Sequence, residues 1–357
     1  MSAKHIVVIA GDGIGEEITA AAVRVLDKAA KTSGLVLTFE KQLAGGAAID
    51  EYGMPLPDHT VQAAKKADAV LLGAVGGPKW DSVPPEIRAE KAILGLRKEL
   101  GLYANLRPVR VSPALLDFSP LKAEAISGVD ILLVRELSSG IYYGHKCESE
   151  IVNGVEQASD VEIYTVAEVN RIMHMACKAA QLRRKQVVSV DKANVLATSR
   201  LWRRTAAQVA SEYTDISLSH MYVDNCAMQL VLAPKNFDVI VTNNLFGDIL
   251  SDEAAVLTGS IGMLPSASLG HGTGLYEPIH GSAPDIAGLG LANPVGTILS
   301  TAMLLRYSLN AEPVAVKIEQ AVDRVLAAGY RTADLYKQGS IKVTTEEMAR
   351  LIEEQLS

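Results

Sequence analysis

Cysteine is scarce: Cys147, Cys177 and Cys226 are the only three in 357 residues, and no two stand at a metal-ligand or redox spacing. That excludes a disulfide framework and a cysteine-built zinc site, and it suits a reducing compartment such as the cytoplasm. Long apolar runs are missing as well. The N-terminal IVVIA is too short for a secretory core and leads into the acidic GDGIGEE; nothing approaches the roughly 20 apolar residues of a membrane span. Nor is positive charge in excess. With 34 Lys and Arg against 41 Asp and Glu, the formal net charge is -7, which leaves no basic footprint for nucleic acid. The one basic cluster, Arg183-Arg184-Lys185, closes a helical stretch, where cations suit the negative end of the helix dipole. There is no Ser/Gly/Pro-rich linker and no internal repeat, so composition marks no domain boundary.

What is present is enough apolar residue, 48%, to build two domains. Short Val/Ile/Leu runs recur (HIVVIA, ADAVLLGAV, DILLVREL, KQVVSV, FDVIVTNN), apolar on both faces and mostly followed by helical periodicity, as strands of a sandwiched parallel sheet are. Helices are predicted over 15–31, 165–182, 197–212, 295–309 and 313–329, and Thr344 with Glu347 forms a capping box for a last one. The class is α/β. Residues 144–163 break the alternation. Asn153-Gly154 between strand-like flanks is a type I′ hairpin signal, and the antiparallel arm it implies has an edge that a second subunit would cover.

The glycine-rich GDGIG after the first strand invites a dinucleotide reading. Its spacing argues otherwise: the fingerprint needs a third glycine where Glu16 stands, and Glu16 and Glu17 would repel a phosphate. A tight strand-to-helix turn is the plainer reading, at the strand ends where α/β sites form.

Asp248 and Asp252, in FGDILSDEA, stand four apart near a helix start, so both carboxylates leave one face. A hard divalent cation would relieve their repulsion, with Asp224 at the end of SLSHMYVD as a third oxygen donor. Residue type alone equally permits solvated surface aspartates. Arg97, Arg107 and Arg135 lie in apolar surroundings, where a guanidinium needs an anion; salt bridges would supply one, and so would a carboxylate substrate gripped bidentately. Lys192 ends a buried strand, where neighbouring cations would depress its pKa toward that of a base, and Tyr142 offers a proton donor; both residues also fit structural roles.

Taken in order, GDGIG, GAVGGPKW, LRKELGLYANLRP, VRELSSGIYYG, SVDKANVL, YVDNCAMQL, FGDILSDEA, GSIGMLPSAS and EPIHGSAPDIAG resemble the isocitrate/isopropylmalate dehydrogenase family almost end to end. The resemblance implies two open α/β domains with a mixed, mainly parallel sheet, distinct from the Rossmann arrangement. One is a discontinuous cofactor domain of residues 1–103 and 257–357; the other, 104–256, holds substrate and metal and carries the β arm at a dimer interface. It implies a metal-dependent, NAD-dependent β-decarboxylating dehydrogenase. Asp224, Asp248 and Asp252 would bind Mg²⁺ or Mn²⁺, Asp224 also bordering the substrate; Arg97, Arg107 and Arg135 would hold its carboxylates; Tyr142 and Lys192 would be the catalytic acid and base. Lys192 and Asp224 would come from the neighbouring subunit of a homodimer with shared sites.

For the dinucleotide the resemblance implies Gly76, Gly77 and Glu90 on the nicotinamide side and His280, Gly281, Ser282, Ala283, Asp285, Ile286 and Asn293 around the adenosine. A carboxylate at 285 accepts ribose hydroxyls and disfavours a 2′-phosphate, which predicts NAD. Ile93, Leu94 and Val195 would face the substituent on substrate C3. An apolar wall there favours an isopropyl group over a carboxylate, although Ile93 and Leu94 also suit the core face of a helix. Siblings acting on D-malate, tartrate or homoisocitrate are the alternative activities. A non-catalytic regulatory subunit is a third, disfavoured because Tyr142, Lys192 and the three aspartates are all present. Ser138-Ser139 and the arm sequence depart from the family's usual pattern, which bears on arm geometry more than on chemistry.

Overall fold

The computed structural model describes residues 3–356, and the chain forms two compact units. The first comprises residues 1–102, 111–123 and 255–357; the second comprises 103–110 and 124–254. Residues 111–123, expected with the middle of the chain, group with the two ends.

In the terminal unit, strands run in the order Leu37–Gln42, Lys4–Gly11, Ala69–Ala74, Gly274–Pro278 and Pro265–Gly270. The first four are mutually parallel and the last is antiparallel to its neighbour. Ala69–Ala74 is buried at every position, as a strand covered on both faces must be. Helix Gly15–Thr32 presents Ile18, Ala22, Val25, Leu26 and Ala29 to the core at helical spacing. Helix Val295–Tyr307 is apolar on nearly all sides and buried accordingly. The last helix, Thr345–Glu354, opens with the expected capping box of Thr344 and Glu347.

In the middle unit the order is Leu102–Arg110, Asp130–Glu136, Val239–Thr242, Gln186–Asp191, Ser217–Tyr222. The first pair is antiparallel and the others are parallel. Helices Val166–Gln181 and Ala197–Ala210 follow strand-like runs as predicted, and the former begins with a second capping box, Thr165 with Glu168. Strands Lys146–Val152 and Val155–Asp160 form the hairpin. Asn153 and Gly154 both take positive φ, 53° and 82°, the type I′ requirement. The basic cluster differs from expectation. The helix stops at Gln181, and Arg183 reaches beyond it to the buried Asp238 at 2.9 Å and to Asp130 at 2.8 Å, so carboxylates, not the helix end, neutralise it.

All three cysteines are free. Burial pushes the Cys177 thiol up to about 11 and the Cys226 thiol up to about 12, so neither ionises at neutral pH. No helix among the described residues is long and apolar enough to cross a membrane.

Candidate active site

Two antiparallel strands deliver the first charges in the middle unit. Asn105 pairs with Arg135 in register, so Arg107, two residues along, shares their face. Both guanidiniums are buried, at 3% exposure for Arg135 and 8% for Arg107, and both turn toward helix Asn244–Ala255. Arg135 donates from Nε and Nη2 to Asn244 Oδ1 at 3.0 and 2.8 Å, and its Nη1 pairs with Asp248. Arg107 donates to Asn105 at 2.7 Å and Ser251 at 2.5 Å, and lies 3.5 Å from both Asp248 and Asp252. Gly247 makes the close approach possible: a Cβ there would stand 2.7 Å from Arg135 Cγ.

Asp248 is the junction. Tyr142 donates its hydroxyl to Asp248 Oδ2 at 2.6 Å, and Arg135 lies over the Tyr142 ring at 5.5 Å. Burial alone would raise the Asp248 pKa, but Arg135, the Tyr142 hydroxyl and Arg107 outweigh it and hold the carboxyl below the usual range. Asp252 goes the other way, raised by burial and by the charge of Asp248 against the pull of Arg107. Tyr142 is raised by burial and by Asp248, so the phenol keeps its proton at neutral pH.

The loop carrying Tyr142 is fixed from beneath. Glu136, fully buried, accepts the backbone N–H groups of Ser138 and Ser139 at 3.0 Å and the Ser138 hydroxyl. Ser139 donates its hydroxyl to Ile163 O at 3.0 Å at the foot of the hairpin. Asn244 donates to Leu137 O and Ser139 O at 3.3 and 3.2 Å while orienting Arg135. Neither Glu136 nor Asn244 was predicted; the available signal was a polar residue at the end of an apolar strand, in VREL and VTNN.

Lys192 and Asp224 form a separate pair, Asp224 lying in the first turn of helix Val223–Leu232. The Lys192 backbone N–H is held by Ser199 at 3.0 Å. The expectation that cations surround Lys192 is corrected in part: its ion partner is a carboxylate, although Arg203 shares the Tyr222 ring with it, at 5.0 Å against 5.9 Å for the lysine. The Lys192 ammonium holds the Asp224 carboxyl below its ordinary value. Of the three proposed metal aspartates, Asp248 and Asp252 are thus brought together and Asp224 is not. No group of three or more His, Cys, Asp or Glu able to hold a metal occurs among the described residues.

In the terminal unit, Arg97 on helix Lys91–Glu99 pairs with Glu277 at 2.9 Å, and its Nε is buried without a partner. Ile93 packs against the core cluster containing Leu96, Leu94 is half-buried, and Val195, in the middle unit, is exposed. Gly76 and Gly77 take φ of 102° and 155°, with Glu90 Oε1 2.7 Å from where a Gly76 Cβ would stand. Gly281 has open space beside it, Ser282 is buried and Ala283 has φ 36°. Asp285 is exposed, while Ile286 packs beside Ile14 and Ile18. Burial lowers the His280 pKa, and its Nε2 is buried without a partner. The Asn293 amide is engaged at both ends, donating to Asp334 at 3.0 Å and accepting from Val295 N at 3.0 Å.

Residues 5–352 match the family model described as isocitrate/isopropylmalate dehydrogenase. Over 354 residues the chain is 57% identical to a 3-isopropylmalate dehydrogenase of Clostridium acetobutylicum, covering 99% of each. It is 58% identical over 353 residues to one of Clostridium pasteurianum, covering 98% of this chain and 99% of that one. Among solved structures, an isocitrate dehydrogenase from Methylococcus capsulatus superposes with a TM-score of 0.88 at 36% identity, with 99% of each chain covered.

Proposed function

The chain belongs to the isocitrate/isopropylmalate dehydrogenase family, and from that premise we propose that it catalyses NAD-dependent oxidative decarboxylation of (2R,3S)-3-isopropylmalate to 4-methyl-2-oxopentanoate, a step of leucine biosynthesis. The observation that carries the reading is the junction at Asp248, where a protonated phenol, two buried guanidiniums and a second carboxylate one helical turn on meet. Relatives bearing that activity's name match at 57–58% identity over nearly the full length, against 36% for the isocitrate dehydrogenase neighbour.

Arg107 and Arg135 grip the substrate carboxylates and fix its orientation. Asp248 and Asp252 suit a hard cation: both donors are oxygens, and they stand four residues apart on helix Asn244–Ala255. Mg²⁺ or Mn²⁺ bound to these two and to Asp224 of a second subunit would supply Lewis acidity at the substrate's C2 oxygen, and NAD would accept the hydride from C2. Lys192 removes the C2 hydroxyl proton before or as that hydride leaves, and Tyr142 delivers its phenolic proton to C3 once carbon dioxide has left. Because Lys192 and Asp224 sit apart from the Asp248 cluster, a site built from two copies of the chain accounts for both groups. The exposed hairpin, with Ile151 and Val155 at 68% and 66%, offers the apolar edge for that pairing. Three free thiols suit a cytoplasmic setting.

The test is NADH formation with Mg²⁺ by the purified protein, offered 3-isopropylmalate, isocitrate, D-malate and tartrate separately, with the best repeated with NADP. Preference for 3-isopropylmalate with NAD is expected. Preference for another acid would transfer the reading to a sibling activity and remove Ile93 and Leu94 as the selecting wall.

A further inference from the structure

One motif has no part in that reaction: GDGIG, residues 11–15. Its aspartate is 4% exposed and pairs with no cation. Instead Asp12 Oδ2 accepts the backbone N–H groups of Gly46 at 2.8 Å and Gly76 at 2.7 Å, and Oδ1 accepts that of Ala47 at 2.7 Å. The Asp12 N–H donates to Ala74 O at 2.7 Å, at the end of the strand leading into Gly76. On its other side the turn holds the 281–283 segment. The Ile14 N–H donates to Ser282 O at 2.8 Å, and Ile14 packs beside Ala283 and Ile286. A Cβ on Gly13 would stand 2.1 Å from that same Ser282 oxygen.

We propose that Asp12 is a positioning residue for the dinucleotide, its carboxylate and the Gly13 turn setting the separation of the Gly76-Gly77 and Gly281–Ala283 segments. The inference rests on the reading of those segments as the NAD site. A carboxylate suits the task because it only accepts, so it collects three N–H groups from two loops in fixed directions without needing a counter-ion. An amide of the same shape cannot: with its oxygen toward Gly46 and Gly76, its NH₂ faces the Ala47 N–H. The glycine at 13 has the complementary role, since no side chain fits between the turn and Ser282.

The experiment uses Asp12→Asn and Gly13→Ala in the full-length enzyme, with native circular dichroism checked first and NADH binding followed by fluorescence titration beside steady-state kinetics. For D12N, leaving one buried N–H without an acceptor predicts a dinucleotide KM and an NADH Kd raised about tenfold or more. The KM for the acid substrate and kcat at saturating NAD should stay within about twofold. G13A should show the same dinucleotide-specific loss. A parallel rise in both KM values, or a fall in kcat with unchanged NADH binding, would reduce Asp12 to a fold residue and overturn the inference. Should D12N lose its native spectrum, G13A, which keeps the carboxylate, decides alone. If the unaltered protein binds no NADH, the reading of the site fails instead.

Discussion

At the scale of single residues, the site turns on who neutralises whom. Asp248 has no cation near it in sequence, yet Arg135, 113 positions away, pairs with it, and Tyr142 hydrogen-bonds its other oxygen. Tyr142 is thereby held protonated, as an acid must be, and Lys192 is tied to a carboxylate in the first turn of helix Val223–Leu232. Tyr142→Phe and Lys192→Met are each expected to lower turnover about 10²–10⁴-fold with native circular dichroism, measured as NADH formation. Rates within a factor of a few of the parent would remove that residue from the acid-base pair.

Elements hold these residues in place through short-range devices. The Thr165 capping box starts the helix that carries Arg171 toward Glu136, and the Thr344 box starts the last helix. Thr344→Ala should lower unfolding free energy by about 1 kcal/mol in urea titrations, leaving activity unchanged. Strand ends are tied electrostatically as well: Lys4 bonds Asp68 at 2.8 Å, and the His5 N–H donates to the same carboxylate. The Lys4 ammonium holds Asp68 below its ordinary value near 3.8. A carboxyl depressed in the folded state stabilises above its unfolded pKa and loses that contribution as pH falls through the folded one. Asp68→Asn should therefore cost up to about 1 kcal/mol at pH 7, little because both side chains are partly exposed. The gap between variant and parent in thermal melts should close in acid, below the ordinary aspartate range; a gap independent of pH would mean that the ion pair is not its source.

For the whole molecule the decisive question is whether one chain makes one site. Tyr142 and Lys192 belong to different charge clusters, and sharing between subunits predicts complementation. Refolding inactive Y142F and K192M together gives heterodimers in which one site regains both groups. With random pairing, about a quarter of the parent activity should return. No recovery, in a mixture shown by native mass spectrometry to contain heterodimer, would place both groups of a site on one chain.

Much of the architecture follows from local rules and was legible in the residues. Doubly buried strands require unbroken Val/Ile/Leu runs, helices show their 3.6-residue period, and Asn153-Gly154 allows little but a type I′ turn, so the α/β class and the arm could be read directly. The sequence also discounted GDGIG as a phosphate loop, because spacing and charge are local properties. What the turn does instead was out of reach. Asp12 takes its partners from positions 34, 35 and 64 residues away, and Gly13 is constrained by Ser282. The same holds for Asn293, whose amide is occupied by Asp334 and Val295, and for Arg183, drawn to Asp238 and Asp130 past its helix end. Periodicity, capping and turn chemistry act over a few residues and are written in order along the chain. Charge pairing and hydrogen-bond supply depend on which strands become neighbours, and only the tertiary structure decides that.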